Sequence, residues 1–135
     1  MKINHLGIAV NSIEEALKVY CQIFPGIVVR EEPLIPGSTQ RMVMIDTDNN
    51  GLMLELLEPL EPGVGSIGKF LEKRGEGIHH IAYETDDIYA KFDELKALGY
   101  RVLGEVSEGA GGSLTFFVHP KDTHGVLTEY VSENK

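Results

Sequence analysis

The chain has 135 residues, and its 21 acidic and 12 basic residues give a formal net charge of −9. That length suits one domain, and a hydrophobic share of 42% is enough to build a core. The acidic balance disfavours a nucleic-acid partner, which normally needs a basic patch, and also a basic membrane-surface helix. The apolar runs are too short for a membrane span and the N-terminus lacks signal-peptide features, so we expect a cytoplasmic protein.

An internal repeat is the most informative feature of the chain. A shift of 75 residues superposes His5 on His80 and Ser12 on Asp87. Each half predicts a strand, then a helix capped by Ser12 or Asp87, then three strands separated by turn-forming residues. In chain order the predicted elements are strand 3–10, helix 13–24, strands 27–31, 41–47 and 52–57, helix 66–74, strand 78–84, helix 88–98, and strands 101–106, 114–119 and 126–131.

Two β-α-β-β-β halves of similar size predict an α+β protein made of paired modules. The expected boundaries are about 1–58 for module one, 59–77 for a linker helix and 78–135 for module two. Together these segments are expected to form a single domain over residues 1–135, in which neither module is complete alone.

Four ionisable residues interrupt apolar strands, one histidine and one glutamate in each half. They are His5, Glu55, His80 and Glu129. An unpaired carboxylate in a strand buried on both faces is costly. The separation within each half is 50 and 49 residues, respectively, so a pseudo-twofold pairing of the modules lets all four side chains converge. Two imidazoles and two carboxylates suit one divalent transition metal, with cobalt, nickel, manganese and zinc all compatible.

An octahedral ion with four protein ligands keeps two positions for water or substrate, as a catalytic metal requires. The competing interpretation is structural, because a lone strand histidine is more often simply hydrogen-bonded and a strand glutamate is usually solvated. The leucines beside Glu55 and the repeated spacing favour a metal. His79 alternates to the other strand face and is expected to be structural or exposed, and Cys21 is expected in the core of the first helix.

Four residues are candidates for substrate binding. Gly111 and Gly112 belong to a glycine-rich segment that lets a substrate approach the backbone. Lys121 is a candidate contact for a phosphate or carboxylate, although solvation is the simpler interpretation of a surface lysine. Gln40, just before the predicted strand 41–47, is the fourth candidate.

Motifs along nearly the whole chain resemble the vicinal oxygen chelate superfamily of glyoxalases, bleomycin resistance proteins and dioxygenases. They occupy residues 5–10, 54–60, 69–82, 109–112, 119–121 and 125–129. Within that superfamily they are most similar to the methylmalonyl-CoA epimerase family. The resemblance implies two paired βαβββ modules that form a half-open, cup-shaped mixed sheet, with a metal site between the modules.

The resemblance also implies an activity, the epimerisation of methylmalonyl-CoA or a related 2-substituted acyl-CoA through α-proton abstraction and a metal-stabilised enolate. Glu129 matches the family position that is both ligand and proposed base. Epimerisation needs a second acid–base group on the opposite face of the α-carbon. The family's second glutamate has no counterpart in residues 35–41, and Glu31 and Glu32 lie nearby but out of register. Either a shifted loop brings Glu32 into the position of the second acid–base group, or the protein acts on a substrate related to methylmalonyl-CoA.

Two alternatives stay open. One is glyoxalase I, a lactoylglutathione lyase, which needs the same metal and a similar proton transfer. The other is a metal-free ligand-binding or antibiotic-resistance protein of the same fold. Residues 109–112 and 119–121 count against the lyase, and the four candidate ligands count against the metal-free protein. The expected substrate is a small CoA-type or glutathione-type thioester, and the expected assembly is a homodimer.

Overall fold

The predicted α+β class and the βαβββ order of each half are confirmed by a computed structural model, which describes residues 1–133. Its elements are β1 (Ile3–Ala9), α1 (Ile13–Ile23), β2 (Val28–Glu31), β3 (Gln40–Asn49), β4 (Leu52–Pro59), α2 (Gly65–Arg74), β5 (Gly77–Glu84), α3 (Ile88–Ala97), β6 (Val102–Glu108), β7 (Leu114–Val118) and β8 (Thr128–Ser132). Two short 3-10 turns, Ala110–Gly112 and Pro120–Thr123, precede and follow β7.

Residues 5–79 form one compact unit, called here the N-terminal unit. Its strands lie in the order β2-β3-β4-β1, with β1 and β4 parallel and the other neighbours antiparallel. Helix α1 packs on one face of this sheet. The buried side chains of that face and helix are Val10, Ile13, Val43, Ile45 and Leu56. Alternation sends Met44, Glu55 and Leu57 to the opposite face, which is buried as well.

The helix predicted between the two modules is α2, which lies within the N-terminal unit. Helix α2 packs against β4 and buries Ile67 and Gly68. A Cβ on Gly68 would lie 2.8 Å from the carbonyl carbon of Gly63, so only glycine allows this close approach. The single-domain boundaries expected from the sequence stay a prediction.

The chain from His80 onward forms the second compact unit together with Met1–Asn4, called here the C-terminal unit. Its strand order is β5-β8-β7-β6, with β5 and β8 parallel. Helix α3 packs on this sheet. Ile88 and Phe92 of the helix form a buried cluster with Phe116 and Val118 of β7. The first residues belong to this unit because the side-chain amide of Asn4 donates hydrogen bonds through Nδ2. The acceptors are the carboxylates of Glu84, at 3.1 Å, and Glu133, at 2.9 Å.

Both predicted helix caps are confirmed, whereas the predicted burial of Cys21 is wrong. Ser12 Oγ accepts a hydrogen bond from the N–H of Glu15 at 3.2 Å, and the carboxylate of Asp87 accepts one from Ala90 at 3.0 Å. Cys21 is exposed because the apolar cluster beneath α1 reaches only to Tyr20, which leaves the last turn of the helix in solvent. In the described residues, no helix has the length and apolar character that a membrane crossing requires.

Candidate active site

Each unit places one histidine and one glutamate on a pair of parallel neighbouring strands. The β1–β4 register aligns Glu55 with the residue two positions beyond His5. The β5–β8 register aligns Glu129 with the residue two positions beyond His80. Because side chains alternate along a strand with a period of two, histidine and glutamate share one sheet face in both units. The internal repeat therefore extends to the register of the strands.

In each unit the histidine and the glutamate are in direct contact. Nε2 of His5 lies 3.4 Å from Oε1 of Glu55, and Nε2 of His80 lies 3.1 Å from Oε1 of Glu129. All four side chains are at most 8% exposed. The ring of Phe117 packs edge-on against His80, with ring centroids 5.5 Å apart. Such burial would strongly disfavour isolated carboxylates, so each glutamate needs a cationic or hydrogen-bonding partner.

The chemistry of these four side chains fits a divalent transition metal. Imidazole nitrogens and carboxylate oxygens are the ligand types that such ions prefer. The pairs lie on the sheet faces opposite α1 and α3, where the side chains are fixed by strands rather than by loops. The structure thus pairs His5 with Glu55 and His80 with Glu129, as the repeat requires, and their role as ligands stays a prediction.

The candidate substrate-binding residues lie at the ends of strands and in turns. Gln40 begins β3, is half-buried, and shares the face of Met44, which aligns with Glu55. Gly111 and Gly112 lie in the turn before β7 with φ angles of 65° and 80°, a region that favours glycine. Lys121 is exposed in the turn after β7. Their contacts with a substrate stay predictions.

The turn that carries Lys121 is held in place by an ion pair. The carboxylate of Asp122 accepts hydrogen bonds from the backbone N–H of Arg101 at 2.7 Å and from its guanidinium, also at 2.7 Å. These bonds favour the ionised form and lower the pKa of Asp122 to about 2. The turn is therefore tied to the start of β6.

Two neighbouring positions have structural explanations. His79 contacts Ser66 Oγ through Nε2 at 3.1 Å and packs edge-on against Phe70, so its predicted structural role is confirmed. A Cβ on Gly109 would lie 2.4 Å from Cγ2 of Thr115. The close approach that requires glycine at position 109 is thus made by strand β7 itself.

Glu32 is a further buried acid on the sheet face of Glu55, and the sequence offered it as an acid–base group only through a shifted loop. Glu32, which was placed out of register, has a side chain that is only 6% exposed. Its N–H donates to the carbonyl of Met42 at 3.3 Å, so the β2–β3 ladder continues one residue beyond β2. Because side chains alternate along extended backbone, the adjacent positions of Glu31 and Glu32 indicate that one of them points to the face of Glu55.

The fold and the site define a protein of two βαβββ modules, each carrying one buried histidine–glutamate pair at the same register. The chain belongs to the Glyoxalase/Bleomycin resistance protein/Dioxygenase superfamily, whose model matches residues 2–130. The superfamily resemblance inferred from the motifs is confirmed.

Several epimerases are similar to the chain over nearly its whole length. The ethylmalonyl-CoA/methylmalonyl-CoA epimerase of Cereibacter sphaeroides is 41% identical over 131 residues, which cover 95% of each protein. The structure of Mycobacterium tuberculosis methylmalonyl-CoA epimerase superposes with a TM-score of 0.90 at 30% identity, covering 98% of this chain and 88% of that one. The structure of a Streptomyces coelicolor methylmalonyl-CoA epimerase variant in complex with 2-nitronate-propionyl-CoA superposes with a TM-score of 0.89 at 37% identity. The match covers 100% of this chain and 99% of that one.

A lactoylglutathione lyase, the class of the glyoxalase I alternative, is also similar to the chain, at lower sequence identity. A probable lactoylglutathione lyase of Vibrio parahaemolyticus is 28% identical over 99% of this chain and 91% of its own length. The epimerase family is therefore the nearer of the two enzyme classes predicted from the sequence.

Proposed function

We propose that the protein is a metal-dependent epimerase of methylmalonyl-CoA or a related 2-substituted acyl-CoA. The observation that carries the proposal is the equivalent histidine–glutamate pair in each unit, buried and in contact at the same strand register. The resemblance to epimerases over 95% of the chain supports the isomerase class and the CoA thioester as substrate.

The proposed ligand set is His5, Glu55, His80 and Glu129, all holding one shared cation. Cobalt, nickel, manganese and zinc suit these donors. When bound, the cation supplies Lewis-acid stabilisation of the negative charge that develops on the substrate oxygens. The four side chains are buried, and electrostatic interactions are stronger in such surroundings than in bulk water.

Glu129 is the proposed base, and one of its carboxylate oxygens accepts the α-proton of the substrate. Contact with His80 fixes the orientation of this carboxylate, and the ring of Phe117 fixes that of His80. We assign Gln40, Gly111, Gly112 and Lys121 to substrate binding. A homodimer and a cytoplasmic location stay predictions from the sequence.

The decisive experiment follows one epimer of methylmalonyl-CoA in deuterated water, with a divalent metal present. The protein is expected to introduce deuterium at the α-carbon and to produce the other epimer, as measured by mass spectrometry and chiral analysis. Formation of S-lactoylglutathione from the hemithioacetal is assayed in parallel and is expected to be absent or far slower. The absence of both deuterium exchange and epimer conversion would contradict the proposal. Efficient formation of S-lactoylglutathione would instead favour the lyase.

A further inference from the structure

We propose that Glu32 is the second proton-transfer group of the epimerase, on the face of the α-carbon opposite the base Glu129. This inference rests on the proposed function. Inversion at a carbon requires that a proton leave one face and that another arrive on the opposite face. Since one fixed carboxylate reaches one face, inversion calls for a second acid–base group.

The position of Glu32 in the sheet supplies the first argument. The ladder pairs Arg30 with Met44 and continues with Glu32 beside Met42. On the next strand Met44 aligns with Glu55, so the side chains of Glu32 and Glu55 belong to the same sheet face. Two strand spacings and two residue steps separate their backbones by ~12 Å. The two glutamate side chains therefore extend from one sheet face, on the same side as the proposed substrate.

Burial supplies the second argument. Among residues 1–133, the buried carboxyl groups are those of Glu32, Glu55 and Glu129. The last two belong to the proposed ligand set, which leaves Glu32 as the buried acid without an assigned role. Every residue of β2 itself is exposed, so an acid buried directly after this strand is unusual for its surroundings.

The contacts of Glu32 supply the third argument, because they fix the direction of its carboxyl group. Nε of Arg30 donates to Oε2 of Glu32 at 2.8 Å, and the guanidinium side chain is 63% exposed. This charge-assisted hydrogen bond orients the carboxyl group and links a buried acid to a solvent-facing cation. The neighbouring Glu31 points to the other face, where it pairs with Arg41 at 2.9 Å.

The proton balance closes with these two glutamates. In one direction the α-carbon–hydrogen bond breaks, its proton passes to Glu129, and its electron pair enters the enolate. The enolate carbon then takes a proton from the protonated carboxyl group of Glu32 on the opposite face. After one passage Glu129 carries the proton and Glu32 is ionised, so proton exchange of both groups with solvent returns them to the starting state. The reverse direction exchanges the two roles.

The test measures epimer conversion and deuterium exchange separately for each epimer with Glu32→Gln. Conversion is expected to fall at least about 100-fold in both directions, within the range typical of a lost general acid or base. Exchange is expected to persist for the epimer whose α-hydrogen faces Glu129 and to be lost for the other. Glu31→Gln is the matched control and should convert both epimers at nearly the wild-type rate.

Each remaining outcome has a defined meaning. Wild-type conversion by Glu32→Gln, or an equal loss of exchange from both epimers in a folded variant, overturns the role of Glu32. If wild type itself neither exchanges nor converts, the proposed function fails first. Should Glu32→Gln not fold, Glu32→Asp keeps the acid but shortens it. Its conversion should fall while exchange becomes unequal between the epimers, and wild-type behaviour of this variant would overturn the inference.

Discussion

At the residue scale, adjacent side chains on one strand have opposite environments in this protein. His79 contacts Ser66 and Phe70, whereas His80 contacts the carboxylate of Glu129 on the other face. The same alternation separates Glu31, which pairs with Arg41, from the buried Glu32. A shift of one residue in register would exchange these roles, since the side-chain period of a strand is two.

The metal proposal makes its sharpest residue-scale prediction at Glu55. Glu55→Ala should weaken divalent-metal binding by more than about 100-fold, since losing an outer-shell partner alone typically costs 10–100-fold. The fold should persist because Leu56 and Leu57, which anchor β4, are unchanged. Calorimetric titration with cobalt and metal analysis of the purified protein measure the effect. Glu61→Ala, at an exposed position, is the control, and normal metal binding by Glu55→Ala would refute the ligand assignment.

At the element scale, parallel pairing between the first and last strands of each module creates the site. Parallel strands require a long crossover connection, here provided by α1, β2 and β3 in the first module and by α3, β6 and β7 in the second. The connection brings residues about fifty positions apart into contact. The helix covers one face of the strands, which leaves the other face for the histidine and the glutamate.

The turn after β7 provides an element-scale prediction with a defined pH dependence. The pKa of Asp122 is lowered to about 2 in the folded protein, from an ordinary value of 3.8. Its ionised form therefore stabilises the fold fully above about pH 4, and this contribution is lost as the pH falls through about 2. Asp122→Asn should lower the free energy of unfolding at pH 7, and its difference from wild type should shrink toward pH 2.

Urea unfolding between pH 7 and pH 2 measures this difference. Asp93→Asn, an exposed change on α3, is the matched control and should differ little from wild type at any pH. A difference for Asp122→Asn that is independent of pH would show that the Arg101 ion pair is not its cause.

At the scale of the whole molecule, the internal repeat gives each of the two units one histidine and one glutamate at the same strand register. A single shared ion predicts one divalent metal per chain and dependence on both units. His5→Ala and His80→Ala should each abolish tight binding and the rise in Tm on metal addition. For wild type, a metal concentration of 100 Kd corresponds to about 2.7 kcal/mol of stabilisation.

Metal content and thermal unfolding with and without a chelator test this stoichiometry. The control is His124→Asn, because asparagine accepts the left-handed backbone that position 124 adopts, with φ at 56°. Two ions per chain, or half of the binding retained in each variant, would mean that each unit binds its own ion and would contradict a shared site.

The sequence predicted local structure well where local chemistry decides it. The caps at Ser12 and Asp87 and the turns at glycine were readable because the residues that form them are neighbours in the chain. Cys21 was mispredicted, since a helical stripe shows which face is apolar but not how far the sheet beneath it extends. The beginning of β8 was placed two residues early because the Val126 carbonyl accepts a turn bond from Thr128 Oγ1 at 3.1 Å.

By itself, the sequence determined the α+β class, the repeat, the family and the four candidate ligands, because periodicity and repeated spacing are properties of the chain. Only the tertiary structure decided that the histidine and glutamate of each half are in direct contact, and which of two adjacent glutamates is buried on the face of Glu55. The physical reason is strand register. Hydrogen bonding between strands distant in sequence sets the face to which each side chain points, and no local pattern encodes that alignment.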